Sequence, residues 1–132
     1  PINTAWGIDN RTVGIRIIQG SDSATRVEKR DAGADCNPYL LMATDIAAGL
    51  DGLEGKIEPD EMTTGNAYES EVASPIPTDL RDAIELARNS DWLKNVIGTD
   101  LYEIALQQSE RELDFFNQQV TPFELERYRD VF

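Results

Sequence analysis

Two runs decide the fold: Thr12-Val13-Gly14-Ile15-Arg16-Ile17-Ile18-Gln19 and Ala24-Thr25-Arg26-Val27-Glu28-Lys29-Arg30, with Gly20-Ser21-Asp22-Ser23 between them. The first alternates. Val13, Ile15 and Ile17 share one face of an extended chain, and Gly14, Arg16 and Ile18 share the other. The polar quartet is a turn, so the second run is expected to pair antiparallel with the first. On that second strand Arg26, Glu28 and Arg30 project from a single face.

Two guanidiniums and a carboxylate on one strand face, with Arg11 and Arg16 nearby, need a reason. One reading is a solvated face whose charges pair with each other. Against it stands like-charge repulsion: two cations ~7 Å apart repel by about 2 kcal/mol at an effective dielectric near 20. One carboxylate does not neutralise four guanidiniums, whereas an anionic ligand would, since guanidiniums grip phosphate and carboxylate in bidentate fashion. Glu28 is then either a structural counterion or a hard-oxygen ligand for Mg²⁺ or Mn²⁺. Local physics leaves both open.

Outward from this pair, residues 1–11 read as a lead-in with loop signals at Gly7 and Asn10, and 31–35 as a loop. Asn37 is a good N-cap and Pro38 suits the first helical position. The helix from Tyr39 to Leu50 is apolar almost all round apart from Thr44 and Asp45, which predicts burial on most sides. It ends near Asp51-Gly52, with Lys56 complementing its dipole. Residues 57–78, with Pro59, Pro75 and Pro77, form a long surface connection. Helices are then expected from Thr78 or Asp79, from Ser90 or Asp91, and from Thr99 or Asp100. The second of these stops before Gly98. Leu80, Ala83, Ile84 and Ala87 form the apolar face of the first. Tyr102, Leu106, Leu113, Phe116 and Val120 form a seam on the third, with Glu110, Arg111 and Glu112 turned away. Thr121-Pro122-Phe123-Glu124 is a capping box that opens a last helix carrying Tyr128 and Phe132.

A strand pair followed by about five helices is an α+β pattern. Residues 1–36 hold the strands and 37–132 the helices, in one domain or part of one. Two strands do not make a stable sheet alone, so the pair is expected to belong to a larger sheet.

The chain has 132 residues, 40% of them hydrophobic, and a net charge of −13. That is enough apolar content for a core. Residues 1–36 carry five basic residues against five acidic ones, and the remainder seven against twenty. An acidic back argues against nucleic acid. No apolar run approaches a membrane span. A single cysteine, Cys36, excludes an intrachain disulfide and fits a reducing compartment, hence the cytoplasm. With no histidine, Cys36 reads as a small packed residue rather than a nucleophile. Trp6 and Trp92 read as core or edge packing. The acids of 54–71 read as a solvated loop without EF-hand spacing.

Four blocks carry a resemblance. They are Asn10-Arg11-x-x-x-x-Arg16, Arg26-x-Glu28-x-Arg30, Ala34-Asp35-x-Asn37-Pro38-Tyr39-Leu40 and Ala47-Ala48-Gly49-Leu50-Asp51-Gly52. In order and spacing they resemble the C-terminal part of the catalytic domain of glutamine synthetase, closely from about Trp6 to Pro59 and more loosely beyond. The resemblance implies an ATP-dependent ligase that phosphorylates the glutamate side chain to γ-glutamyl phosphate and lets ammonia or an amine displace the phosphate. It implies that Arg11 contacts the transferring phosphoryl group and the glutamate side chain. Arg16 and Arg26 would hold ATP phosphates, Glu28 would ligate Mg²⁺ or Mn²⁺, and Arg30 would bind the carboxylate of glutamate.

It also implies a homo-oligomeric ring and a longer enzyme, of which this chain, inactive alone, is one segment. The remaining metal-ligand glutamates and a histidine lie upstream in that family. The alternative is a non-catalytic, acidic helical interaction module derived from it. Three departures stand out: Ile17-Ile18 in place of Ile-Pro after Arg16, the linker Asp31-Ala32-Gly33-Ala34-Asp35-Cys36, and Asp45 in place of an apolar helix residue. They look more like relatives that join glutamate to amines, such as γ-glutamylpolyamine synthetases.

Overall fold

The computed structural model describes residues 1–70 and 73–131. Two units form within the chain, Pro1–Thr78 and Asp79–Phe132.

The first unit is a three-stranded sheet with one long helix. β1 (Trp6–Ile8), β2 (Ile15–Ile18) and β3 (Arg26–Lys29) lie in that order. β2 and β3 are antiparallel, with Arg16 opposite Glu28 and Ile18 opposite Arg26. This is the expected hairpin, shortened at both ends. Turn bonds from the Ala24 and Thr25 amides to the Ser21 carbonyl close it.

β1 corrects the reading of 1–11 as a lead-in. It runs parallel to β2, with Trp6 opposite Ile15 and Gly7 opposite Arg16. Only residues 9–14 connect the two strands. The return begins at Asp9, whose φ is 47°. It is held by the Asn10 side chain, which accepts from the Thr12 amide (2.9 Å) and hydroxyl (2.7 Å) and donates to the Gly65 carbonyl (2.7 Å).

The core of this unit is small: Ala5, Val13 and Ala67, with Ala73 against them. Ala67 shows that part of the long connection is interior rather than surface. It sits in a 3-10 turn, Ala67–Glu69. Three polar ties hold the segment down. The Ala67 amide donates to Thr12 Oγ1 (2.9 Å), buried Asn3 donates to the Ala67 carbonyl (2.7 Å), and Trp6 Nε1 donates to the Asp60 carbonyl (2.7 Å). Buried polar groups persist only when so partnered.

α1 (Pro38–Glu54) is capped as expected, Asn37 accepting from the Tyr39 and Leu40 amides. It runs past Asp51-Gly52 to Glu54, and Lys56 takes a left-handed φ of 49° just beyond the Gly55 cap. The expectation of burial on most sides fails: no α1 residue is buried, and Tyr39, Met42, Ile46, Leu50 and Leu53 form an exposed apolar stripe at helical spacing. The chain's own sheet is too narrow to cover a helix that is apolar all round. Cys36 is likewise exposed rather than packed.

The second unit is helical: α2 (Leu80–Arg88), α3 (Asp91–Ile97), α4 (Thr99–Asn117) and α5 (Pro122–Tyr128). With α1 these make five helices among the described residues, in an α+β order. Asp79 and Ser90 cap α2 and α3, and Thr121 and Glu124 form the capping box of α5. α4 starts without a side-chain cap, after Gly98 at φ 81°. Leu80, Ala83, Ile84 and Ala87 of α2 face Tyr102, Ala105 and Leu106 of α4, as their periodicity predicts. Tyr102 is buried and donates to the Arg88 carbonyl (2.8 Å). The seam does not extend to Phe116 and Val120, which are exposed. Glu110 is not turned away either: it and Glu85 both pair with Arg88 of α2. Tyr128 is exposed, and Phe132 lies outside the described residues.

Candidate active site

Strand alternation and register bring three of the five expected site residues together. Arg16 and Glu28 are cross-strand partners on one face. Arg30 continues that face just past β3, its amide bonded to the Gly14 carbonyl (2.9 Å). Glu28 lies between two guanidiniums, with Oε1 3.3 Å from Arg30 Nε and Oε2 3.7 Å from Arg16 Nη1. Arg16 also pairs with Asp9 at 3.2 Å, a partner the sequence reading missed. Arg16 Nε is buried and has no hydrogen-bond partner among the described residues.

The other two arginines stand apart from this triad. Arg26, opposite Ile18, donates to the nearby Ala24 carbonyl (3.0 Å). Of the solvated-face reading, in which Arg26, Glu28 and Arg30 pair with each other, the Glu28–Arg30 pair forms and Arg26 stays out of it. Arg11 sits in the tight β1–β2 return with its side chain exposed, and its carbonyl accepts from Arg30 Nη1. Arg30 thereby ties the Arg11 loop to the end of β3. Within the cluster Arg16 and Arg30 meet Glu28 and Asp9, two guanidiniums to two carboxylates, so the excess positive charge inferred from sequence rests on Arg11 and Arg26 beside it.

As a metal site this face is incomplete. Glu28 is a hard-oxygen donor suited to Mg²⁺ or Mn²⁺. Among the described residues, however, no group of three or more carboxylate, thiol or imidazole side chains is gathered that could hold a cation. The residues present fit one ligand of a shared centre and no more.

The reverse face of β3 holds the residue that alternation sets aside. Lys29 Nζ is 2.7 Å from Asp45 Oδ1 on α1 and 3.2 Å from Asp31 Oδ2. Partial burial pulls the Lys29 pKa down, but the hydrogen bonds the ammonium donates to Asp45 and Asp31 outweigh it and hold it above its usual range. The signal for this pair was in the sequence, as the one carboxylate in the apolar run Tyr39–Leu50.

The family model for the glutamine synthetase catalytic domain matches residues 1–128. The chain belongs to the glutamine synthetase family. Among curated relatives, the glutamate–isopropylamine ligase of a Pseudomonas species is 39% identical over 98% of this chain and 28% of its own length. The gamma-glutamylethanolamide synthetase of Streptomyces coelicolor is 42% identical over 96% of the chain and 27% of its own. The glutamine synthetase of Thermotoga maritima is 33% identical over 97% and 31%. The chain thus spans under a third of the length of these relatives. Among the described residues no helix is long and apolar enough to cross a membrane.

Proposed function

We propose that this chain forms one wall of the active site of an ATP-dependent glutamate–amine ligase whose remaining walls are supplied by further chain and by neighbouring subunits of a cytoplasmic homo-oligomeric ring. The observation that carries this reading is the front of the sheet. A carboxylate lies between two arginines, two more arginines are close in sequence, and a buried guanidinium N–H on Arg16 is unpaired. An unpaired buried donor calls for an acceptor, and an excess of guanidiniums calls for an anion.

ATP and glutamate supply both. Arg16 and Arg26 hold ATP phosphates. Arg30 receives the carboxylate of glutamate, and Arg11, exposed on its loop, meets the phosphoryl group in transit. Glu28 is one ligand of Mg²⁺ or Mn²⁺, which when bound neutralises charge on the phosphate oxygens. In the first step the γ-phosphoryl group passes to an oxygen of the glutamate side-chain carboxylate and ADP leaves. In the second, the amine nitrogen bonds to that carbonyl carbon, loses a proton, and inorganic phosphate departs. The work left to this wall is positioning and charge neutralisation, the dominant contributions to phosphoryl transfer. The names of the two amine-ligating relatives, together with the linker 31–36 and Asp45, favour an amine over ammonia.

The test is ADP release by the full-length protein with glutamate and a panel of ammonia, ethanolamine, isopropylamine and a polyamine. ADP release that requires glutamate and is fastest with an organic amine is expected. Release that ignores both glutamate and every amine refutes the proposal.

A further inference from the structure

Lys29 and Asp45 take no part in the front face, yet the structure joins them. Lys29 stands between Glu28 and Arg30 in sequence, so its side chain leaves the strand on the opposite side. There it reaches two carboxylates at once. Asp31 (3.2 Å) opens the loop that leads to α1, and Asp45 (2.7 Å) lies on α1 itself, about two turns from its start. One ammonium therefore ties the start of the connection after β3 to the body of α1.

Little else fixes that spacing. Between the back of the sheet and α1 lies a cavity of about 520 Å³, lined by Ile15, Val27, Ile46, Ala48, Gly49 and the ion pair. Val27 and Ile46 remain largely exposed, at 66% and 59%. Apolar contact across such a gap is loose and non-directional. The ion pair is the directional tie.

We infer that Lys29 and Asp45 are positioning residues: their pair, with Asp31, sets the height of β3 against α1 and so the placement of Glu28 and Arg30 on the front. The inference rests on the ligase reading above and deepens it. It also joins two observations that were separate, a charged residue unused by the site and a carboxylate in an apolar helix. Because Glu28 and Arg30 flank Lys29 while Arg26 stands at the far end of the strand, the effect falls most on metal and glutamate and less on ATP, which it reaches only through the contact of Glu28 with Arg16.

The experiment uses the full-length enzyme and three variants, Lys29→Met, Asp45→Asn and Lys29→Arg. In Lys29→Met and Asp45→Asn the glutamate KM and the metal requirement should each rise, and by more than the ATP KM. Lys29→Arg, which keeps the cation, should stay close to wild type. Amide hydrogen exchange at residues 28–30 should quicken in the first two variants and not in the third, and it needs no turnover to be read.

Wild-type kinetics and exchange in Lys29→Met overturn the inference. So does an equal loss for all three substrates, failure of Lys29→Arg to rescue, or failure of both Lys29→Met and Asp45→Asn to fold. Absence of turnover by the wild type with every amine instead removes the ligase reading, and the exchange data then decide positioning alone.

Discussion

Replacing Glu28 with glutamine separates the two roles that the sequence left open, counterion and metal ligand. The structure sets the stability side of the comparison. At 3.3 and 3.7 Å from the two guanidiniums, an effective dielectric near 20 gives each pair a gross attraction of about 5 kcal/mol. Little of that survives in net terms. The Glu28 side chain is 39% exposed, and ion pairs in contact with solvent contribute about 0.2–1 kcal/mol each. The amide keeps the shape of the carboxylate and leaves an oxygen beside Arg30. Glu28→Gln should therefore lose less than about 2 kcal/mol and move the thermal midpoint by a few degrees at most.

The metal side is different. Loss of a mere outer partner weakens metal binding 10–100-fold, so loss of a direct ligand should raise the metal needed for half-maximal activity by at least roughly 100-fold. The assay is thermal unfolding of the full-length enzyme beside a Mg²⁺ and Mn²⁺ titration of its activity. An unchanged metal requirement would refute the assignment of Glu28 to the metal. Destabilisation beyond about 4 kcal/mol, the range for breaking a buried pair, would show instead that Glu28 is chiefly a buried counterion.

Three further outcomes follow from the same structure. Thr12→Val removes the acceptor of the Ala67 amide at a fully buried residue, so unfolding should show a loss of about 1–3 kcal/mol, whereas Thr12→Ser should retain most of it. Gly14→Ala places a methyl group 2.8 Å from the Asn3 carbonyl oxygen, a backbone atom that cannot swing away, and should destabilise by about 1–3 kcal/mol in denaturant titrations. Hydrogen bonds from the Thr121 amide and hydroxyl hold the Glu124 pKa below its usual 4.5, so its folded-state value is depressed. The stabilisation of α5 is then complete above the ordinary glutamate range and lost as pH falls through the depressed value. The protection of amides 122–128, taken relative to their intrinsic exchange at each pH, should fall on acidification, and Glu124→Gln should abolish that dependence.

Much of this was legible in the sequence because the signals were local. Alternation placed Arg26, Glu28 and Arg30 on one face of the second strand and Arg16 on one face of the first, though not the register that sets Arg16 opposite Glu28, and capping residues placed the starts of α1, α2, α3 and α5. What was not legible depended on distant partners or broke a general rule. Parallel strands normally need a crossover of a dozen or more residues, so nothing in 1–11 argued for a strand parallel to β2 with only residues 9–14 between. The interior position of Ala67 depends on Asn3 and Thr12, some sixty residues away. The pairing of Glu110 with Arg88 depends on how α4 lies against α2, which helical periodicity alone does not fix. The exposed stripe of α1 shows the converse limit: composition gives a helix's appetite for burial, not what is present to satisfy it.

The tight return between β1 and β2 also bears on how this region assembles. All three strands fall between Trp6 and Lys29, so every ladder of the sheet closes over a short stretch of chain. Short closures carry little loop entropy and form quickly, whereas contacts distant in sequence wait. The sheet, with Arg11 already fixed in its bend, is thus the early-forming part, and Asn3, Asn10 and Thr12 are then in place to receive the 60–67 segment when it arrives.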